Sequence, residues 1–246
     1  MVRVKFEANV HSSALPNINR LGLYISIITA IVTLITFAIE IFTPPLSGPW
    51  CEGDCFIYPY NNIASRFPRD YLWMYPAMAV MVLYVILMVC IHQYALPHKK
   101  VFSQIGLSIA LMAAIILISN YFVQVSVIQP SLIKGETHGI AILSQYNPHG
   151  IFIALEEIGF LLANISLFMM IPVFPPSDIL NKALRLTWMI GFFLAVFTLV
   201  LISLVYGIMR EYFFEIAIIS IVWLQLIISS IILSRIFKRG IASLKT

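Results

Sequence analysis

A chain of 246 residues that is 61% hydrophobic and only 11% charged, with a mean hydropathy of +0.95, has too little polar surface to face water, which excludes a soluble domain. Its net charge of +4 is not a nucleic-acid footprint, because the bases sit in short clusters beside apolar runs rather than along a phosphate-binding stripe. Apolar runs of 20 residues or more are long enough to cross a hydrocarbon core as helices. Six use most of the chain, at about 21–42, 72–96, 101–127, 150–173, 183–206 and 213–237. The fold class is therefore an all-α integral membrane protein, a bundle of six transmembrane helices in one polytopic domain, 1–246.

The first run is too long for a signal h-region and lacks a small-residue cleavage pattern, so it reads as a signal anchor. Ser26, Thr29, Thr33, Thr36 and Glu40 share one face of it. Close helix packing, with the hydroxyls bonding their own backbone, explains the stripe. The sharper alternative is a hydrated wall of a pathway that ends at Glu40. The connection 43–71 is rich in proline and aromatic residues and is expected to fold back as a cap on the bundle. Its Cys51 and Cys55, in the stretch CEGDC, could form a disulfide outside the membrane or remain free thiols. Three intervening residues do not fit the thioredoxin-like redox spacing.

In the second run Cys90 reads as packing, while His92 and His98 lie beside Lys99 and Lys100 at its end. The third run carries Asn120 and Gln124 one turn apart. Amides there bond neighbouring helices or orient a ligand. The connection 128–149 holds His138 and ends in Tyr146-Asn147-Pro148-His149-Gly150, a turn signal. Glu156 and Glu157 follow, roughly two turns into the fourth run. Adjacent helical residues point about 100° apart, so at least one should face the bundle, since a charge inside the bilayer is costly. Helical spacing puts His149, Glu156 and Asn164 near one stripe. The plainer reading has His149 cap the helix and an arginine pair with the glutamates, with Arg66, Arg69 and Arg210 as candidate counter-ions. The sixth run opens with Glu211 and Glu215, for which the helix dipole is sufficient explanation.

Eleven of the 15 bases fall in the tails and the even-numbered connections, and nine of the 11 acids fall on or near the opposite side. The positive-inside rule then puts both termini in the cytoplasm, with two longer extracytoplasmic loops and residence in the plasma membrane. No Walker loop, dinucleotide fingerprint, zincin helix or nucleophile elbow is present.

Three functional classes remain. The first is an outward-facing, carboxylate-rich pocket that binds or transports a small solute or cation, with Glu156, Glu157, His149, Glu40, Asn120, Gln124 and Asn164 as candidate site residues. The second is an accessory membrane subunit docking through its outer loops, with a membrane-protein partner or a second copy. The third is a membrane-embedded enzyme acting on a lipid-like substrate, with Glu156, Glu157, His149 and His138 as candidate ligands of a divalent cation. No other cofactor is expected, and the chain's remaining partner is the bilayer itself.

Overall fold

The computed structural model describes residues 2–242, apart from the side chains of residues 2–16 and 211. No strand occurs among the described residues. The long helices are α1 (Val2–Ile41), α2 (Met74–Tyr94), α3 (Lys100–Val123), α6 (Ile151–Met169), α7 (Ile179–Tyr206) and α8 (Glu211–Ala242); α4 (Gln129–Lys134) and α5 (Ile140–Leu143) are short. Six spans, Asn17–Ile41, Arg69–Tyr94, Pro97–Lys134, Ile151–Val173, Ile179–Tyr206 and Tyr212–Ala242, are long and apolar enough to cross a membrane. The chain is thus a multi-pass membrane protein by length and composition. The described start of the first span and the end of the last meet at one end of the bundle, the terminal end, where Asn19 abuts Gly240 and Gly22 abuts Phe237. The two long connections share the other, the loop end.

The third span runs past the expected boundary at 127. A π turn, Gln124–Ile128, joins α3 to α4, which carries Pro130 in its first turn. Proline reads as a breaker because it lacks an N–H and clashes with the preceding turn. The wider π turn just before it accommodates both. The helix stops at Gly135, whose left-handed φ of 77° lets its N–H and that of Glu136 return to the carbonyls of Leu132 and Ser131.

Helices α1, α2, α3, α6 and α8 close into a ring, each packed on the next, and α7 lies outside it in the groove between α6 and α8. In lipid no hydrophobic force drives helices together, so close approach and interhelical hydrogen bonds must do it. The Ser26, Thr29, Thr33 and Thr36 face of α1 is wholly buried, and Ser26 and Thr36 bond the carbonyls of Gly22 and Val32. Helix α7 is fastened by polar contacts. Trp188 Nε1 donates to Ser229 Oγ at 2.8 Å, and Gln225 Nε2 on α8 donates to the Thr187 and Trp188 carbonyls at 3.4 Å while its Oε1 accepts from Asn164 Nδ2 on α6 at 2.9 Å. Gly191 abuts Gln225 so closely that a Cβ there would lie 2.5 Å from the amide. Arg185 reaches back to the carbonyls of Ile171 and Phe174 at the end of α6, and Asp178 caps α7 through the Leu180 and Asn181 amides.

The first long connection folds over the bundle in three 3-10 turns, Gly48–Trp50, Ile63–Arg66 and Arg69–Tyr71. Tyr60 and Ile63 are buried beneath it, and Phe56 packs edge-on against Tyr146 of the second connection. Cys51 and Cys55 are joined by a disulfide, with their Cα atoms 5.9 Å apart.

Candidate functional site

The loop end contains a cavity of about 140 Å³ between α1, α6, α8 and the first connection. Four carboxyl groups line it: Glu40 from the last turn of α1, Asp70 from the turn before α2, Glu156 from α6 and Glu215 from α8. Aromatic residues Trp50, Trp73, Tyr146, Phe152 and Tyr212 form much of the remaining wall, and among the described residues no lysine, arginine or histidine lines it.

Helix periodicity explains how the acids arrive. Glu156 lies on the face of α6 that also carries Phe152, Ile153, Phe160 and Ala163, all buried. Glu215 begins the face of α8 that continues through Ile219, Val222 and Leu226, also buried. The two residues are 1% and 7% exposed and line the same cavity. Tyr121 on α3 donates a hydrogen bond to Glu156 Oε1 at 2.7 Å, and its ring meets Trp73 edge-on at 5.1 Å.

Asp70 is compensated. It is buried, it accepts from Arg66 Nε at 2.8 Å and from the Tyr146 hydroxyl at 3.0 Å, and Arg69 lies 3.9 Å away. The Asp70 hydrogen bond pushes the Arg66 guanidinium further up. Burial, with Tyr71 and Asp70 nearby, pushes the Tyr146 phenol up, so it remains a donor. The roof is tied to α8: the Ser47 and Tyr212 hydroxyls are 2.8 Å apart, and Tyr212 donates to the Gln145 carbonyl at 3.1 Å. Gly48 makes this approach feasible. Its φ is +71°, and a Cβ there would come within 2.2 Å of the Tyr212 ring.

The structure separates the residues that spacing placed together. Glu157, one residue from Glu156, turns away and pairs with Arg210 Nη2 at 2.8 Å. With His149 it lines a second cavity of about 220 Å³, where His149 Nε2 lies 3.4 Å from Met209 Sδ. His149 does not share the Glu156 stripe because α6 begins only at Ile151. Gly150 before it is extended (φ −83°, ψ 163°), so helical steps cannot be counted back to 149. Asn164 is deeper in the bundle, bonded to Gln225 rather than facing the cavity. His138 is exposed between α4 and α5. Among the described residues no group of three or more His, Cys, Asp or Glu side chains is placed to hold a metal ion, so the four candidate ligands do not converge.

Asn120 and Gln124 act one step back from the cavity. Asn120 donates to the Phe152 carbonyl at 2.9 Å. Gln124 donates to the Leu143 carbonyl at 2.6 Å and accepts from the Gln145 amide at 3.2 Å. Phe152 and Gln145 line the cavity, so these amides position its walls. The residues that sequence reasoning missed are Glu215, Asp70 as a lining group, and the phenols of Tyr121 and Tyr212. A signal for Glu215 was present: it lies four residues before Ile219 and seven before Val222, on the apolar face of its helix.

With Asp70 paired to Arg66 and Glu157 to Arg210, the other three acids have no such partner. Among the described residues no basic side chain pairs with Glu40, Glu156 or Glu215. No protein-family model, curated protein or solved structure matches the chain.

Proposed function

We propose that the protein binds a small cationic solute in the carboxylate cavity at its loop end, and that this end faces outward from the plasma membrane with both termini in the cytoplasm. The orientation is supported by the excess of bases at the terminal end. The Cys51–Cys55 disulfide lies at the opposite end, and disulfides persist in oxidising compartments.

The observation that carries the binding reading is the imbalance of charge. Glu40, Glu156 and Glu215 converge on one cavity that, among the described residues, no base lines. Carboxylates withdrawn from water without a basic partner are costly, and a cation is the partner that relieves them. Beneath the cavity the bundle is closed by packed rings, with Trp223 in edge contact with Phe37, Trp73 and Phe160. This arrangement supports a site that holds its solute, with onward passage requiring those rings to move.

The test is native mass spectrometry of gently solubilised protein. A cationic adduct is expected on the wild type and on Glu157→Gln, and is expected to be absent from Glu156→Gln/Glu215→Gln. An adduct-free wild type, or an adduct that survives the double substitution, would overturn the proposal.

A further inference from the structure

The cavity walls say more about the cation than its charge does, and resting on the proposed function above, we infer that the ligand is a small organic ammonium ion of about the size of tetramethylammonium rather than a bare metal ion. Three features of the cavity argue for this.

The first is volume. A cavity of about 140 Å³ is close to the roughly 150 Å³ that holds a benzene molecule, and so suits about five or six heavy atoms. A bare metal ion would be loose in it without a shell of water.

The second is the disposition of the acids. Calcium takes about six to eight oxygens at about 2.3–2.6 Å, which requires several carboxylates to close on one point. Among the described residues no three such side chains do so. Glu40, Asp70, Glu156 and Glu215 come from four different elements and sit around the wall. Charge spread in this way suits a cation whose positive charge is itself spread over several carbon-bearing faces.

The third is independent of the acids. Trp50, Trp73, Tyr146, Phe152 and Tyr212 offer rings to the same space. Aromatic faces attract cations through the ring quadrupole, tryptophan most strongly, and walls of this kind recognise alkylated ammonium groups. A strongly hydrated inorganic ion would gain little from them. Glu215 supplies the anionic anchor: it is more than nine-tenths buried and lines the cavity, and among the described residues no basic side chain pairs with it.

The experiment is a binding titration of full-length protein in detergent micelles, read by tryptophan fluorescence and checked by isothermal calorimetry. The probes are tetramethylammonium, its neutral isostere neopentyl alcohol, sodium and calcium. Saturable binding of tetramethylammonium is expected, with the alcohol at least about tenfold weaker. Trp73→Leu should weaken tetramethylammonium by about tenfold and leave the inorganic ions unaffected. Because Trp73 is buried, Trp50→Leu, in the exposed part of the roof, provides the same comparison with less risk to folding.

Binding of sodium or calcium that Glu156→Gln/Glu215→Gln removes, without binding of tetramethylammonium, would overturn this inference and leave the proposed function standing. Binding of none of the cations would overturn both. Equal binding of tetramethylammonium and the alcohol would show an apolar pocket and overturn both readings as well.

Discussion

Glu157 and Glu215 should respond in opposite directions to the same chemical change. Glu157→Gln weakens an ion pair with Arg210 whose side chains are 11% and 35% exposed. Solvent screens a pair of this kind, so the loss is about 1 kcal/mol or less. Glu215→Gln removes one of two buried carboxyl groups of the cavity that no described base offsets, and its amide can donate to Glu156. Replacing a buried charge that lacks a basic partner by a neutral amide should stabilise the fold by about 1–2 kcal/mol. Equilibrium unfolding in mixed micelles, followed by circular dichroism, should therefore find Glu157→Gln slightly less stable than wild type and Glu215→Gln more stable. Binding should separate the other way. The affinity for tetramethylammonium should fall at least about tenfold in Glu215→Gln, near 1.4 kcal/mol, and hold within about twofold in Glu157→Gln. A Glu215→Gln protein that is destabilised by more than about 1 kcal/mol would refute the reasoning, because it would mean that the carboxyl group is satisfied where it stands.

Asp70→Ala should cost about 3 kcal/mol, since Arg66 and the buried Tyr146 hydroxyl lose their acceptor, and Tyr146→Phe about 1 kcal/mol; limited proteolysis within 43–71 should accelerate in the same order. Gly191→Val should cost about 2–3 kcal/mol in the same unfolding assay, and Gly191→Ala less, because any Cβ there meets the Gln225 amide at 2.5 Å. Maleimide labelling of the native protein without reductant should modify none of the three cysteines. Reduction should expose Cys51 and Cys55, and Cys90, buried in α2, should react only on unfolding.

The spans were legible because hydrocarbon thickness dictates their length and the apolar runs in this chain are long enough to show it. The extension of the third span was not, since Pro130 reads as a stop and the π turn that tolerates it leaves no compositional mark. The buried face of α1 was visible as a small polar stripe from Ser26 to Thr36. The order of the ring was not, because helices that are apolar all round do not reveal which side meets lipid. At the site, sequence could find the acids of α6 but could not choose between them. Glu156 and Glu157 differ by a rotation of about 100°, and only the position of Arg210 at the start of α8 shows which one has a base within reach. The helix dipole suffices to explain an acid near a helix start, as Glu215 is in sequence. That account fails here because the residue faces the core.

The polar groups elsewhere in the bundle throw the cavity into relief. Gln225 meets Asn164 on one side and the backbone of α7 on the other, the Trp188 indole has Ser229, and Arg185 takes two carbonyls at the end of α6. The donors of these heads have partners supplied by the chain, as burial in a membrane demands, while Asn164 Oδ1, the Gln129 amide and the Thr29, Thr33 and Ser230 hydroxyls have none among the described residues. Tyr84, Ala163 and Ser166 make the same closed arrangement between α2 and α6. A fold that satisfies these groups has ample means to place an arginine beside Glu156, as it does beside Glu157 only one residue away. At Glu40, Glu156 and Glu215 it supplies a phenol and a roof but, among the described residues, no base. Uncompensated groups that lower stability are retained where function uses them, and the partner these three carboxyl groups lack is the one that a bound cation provides.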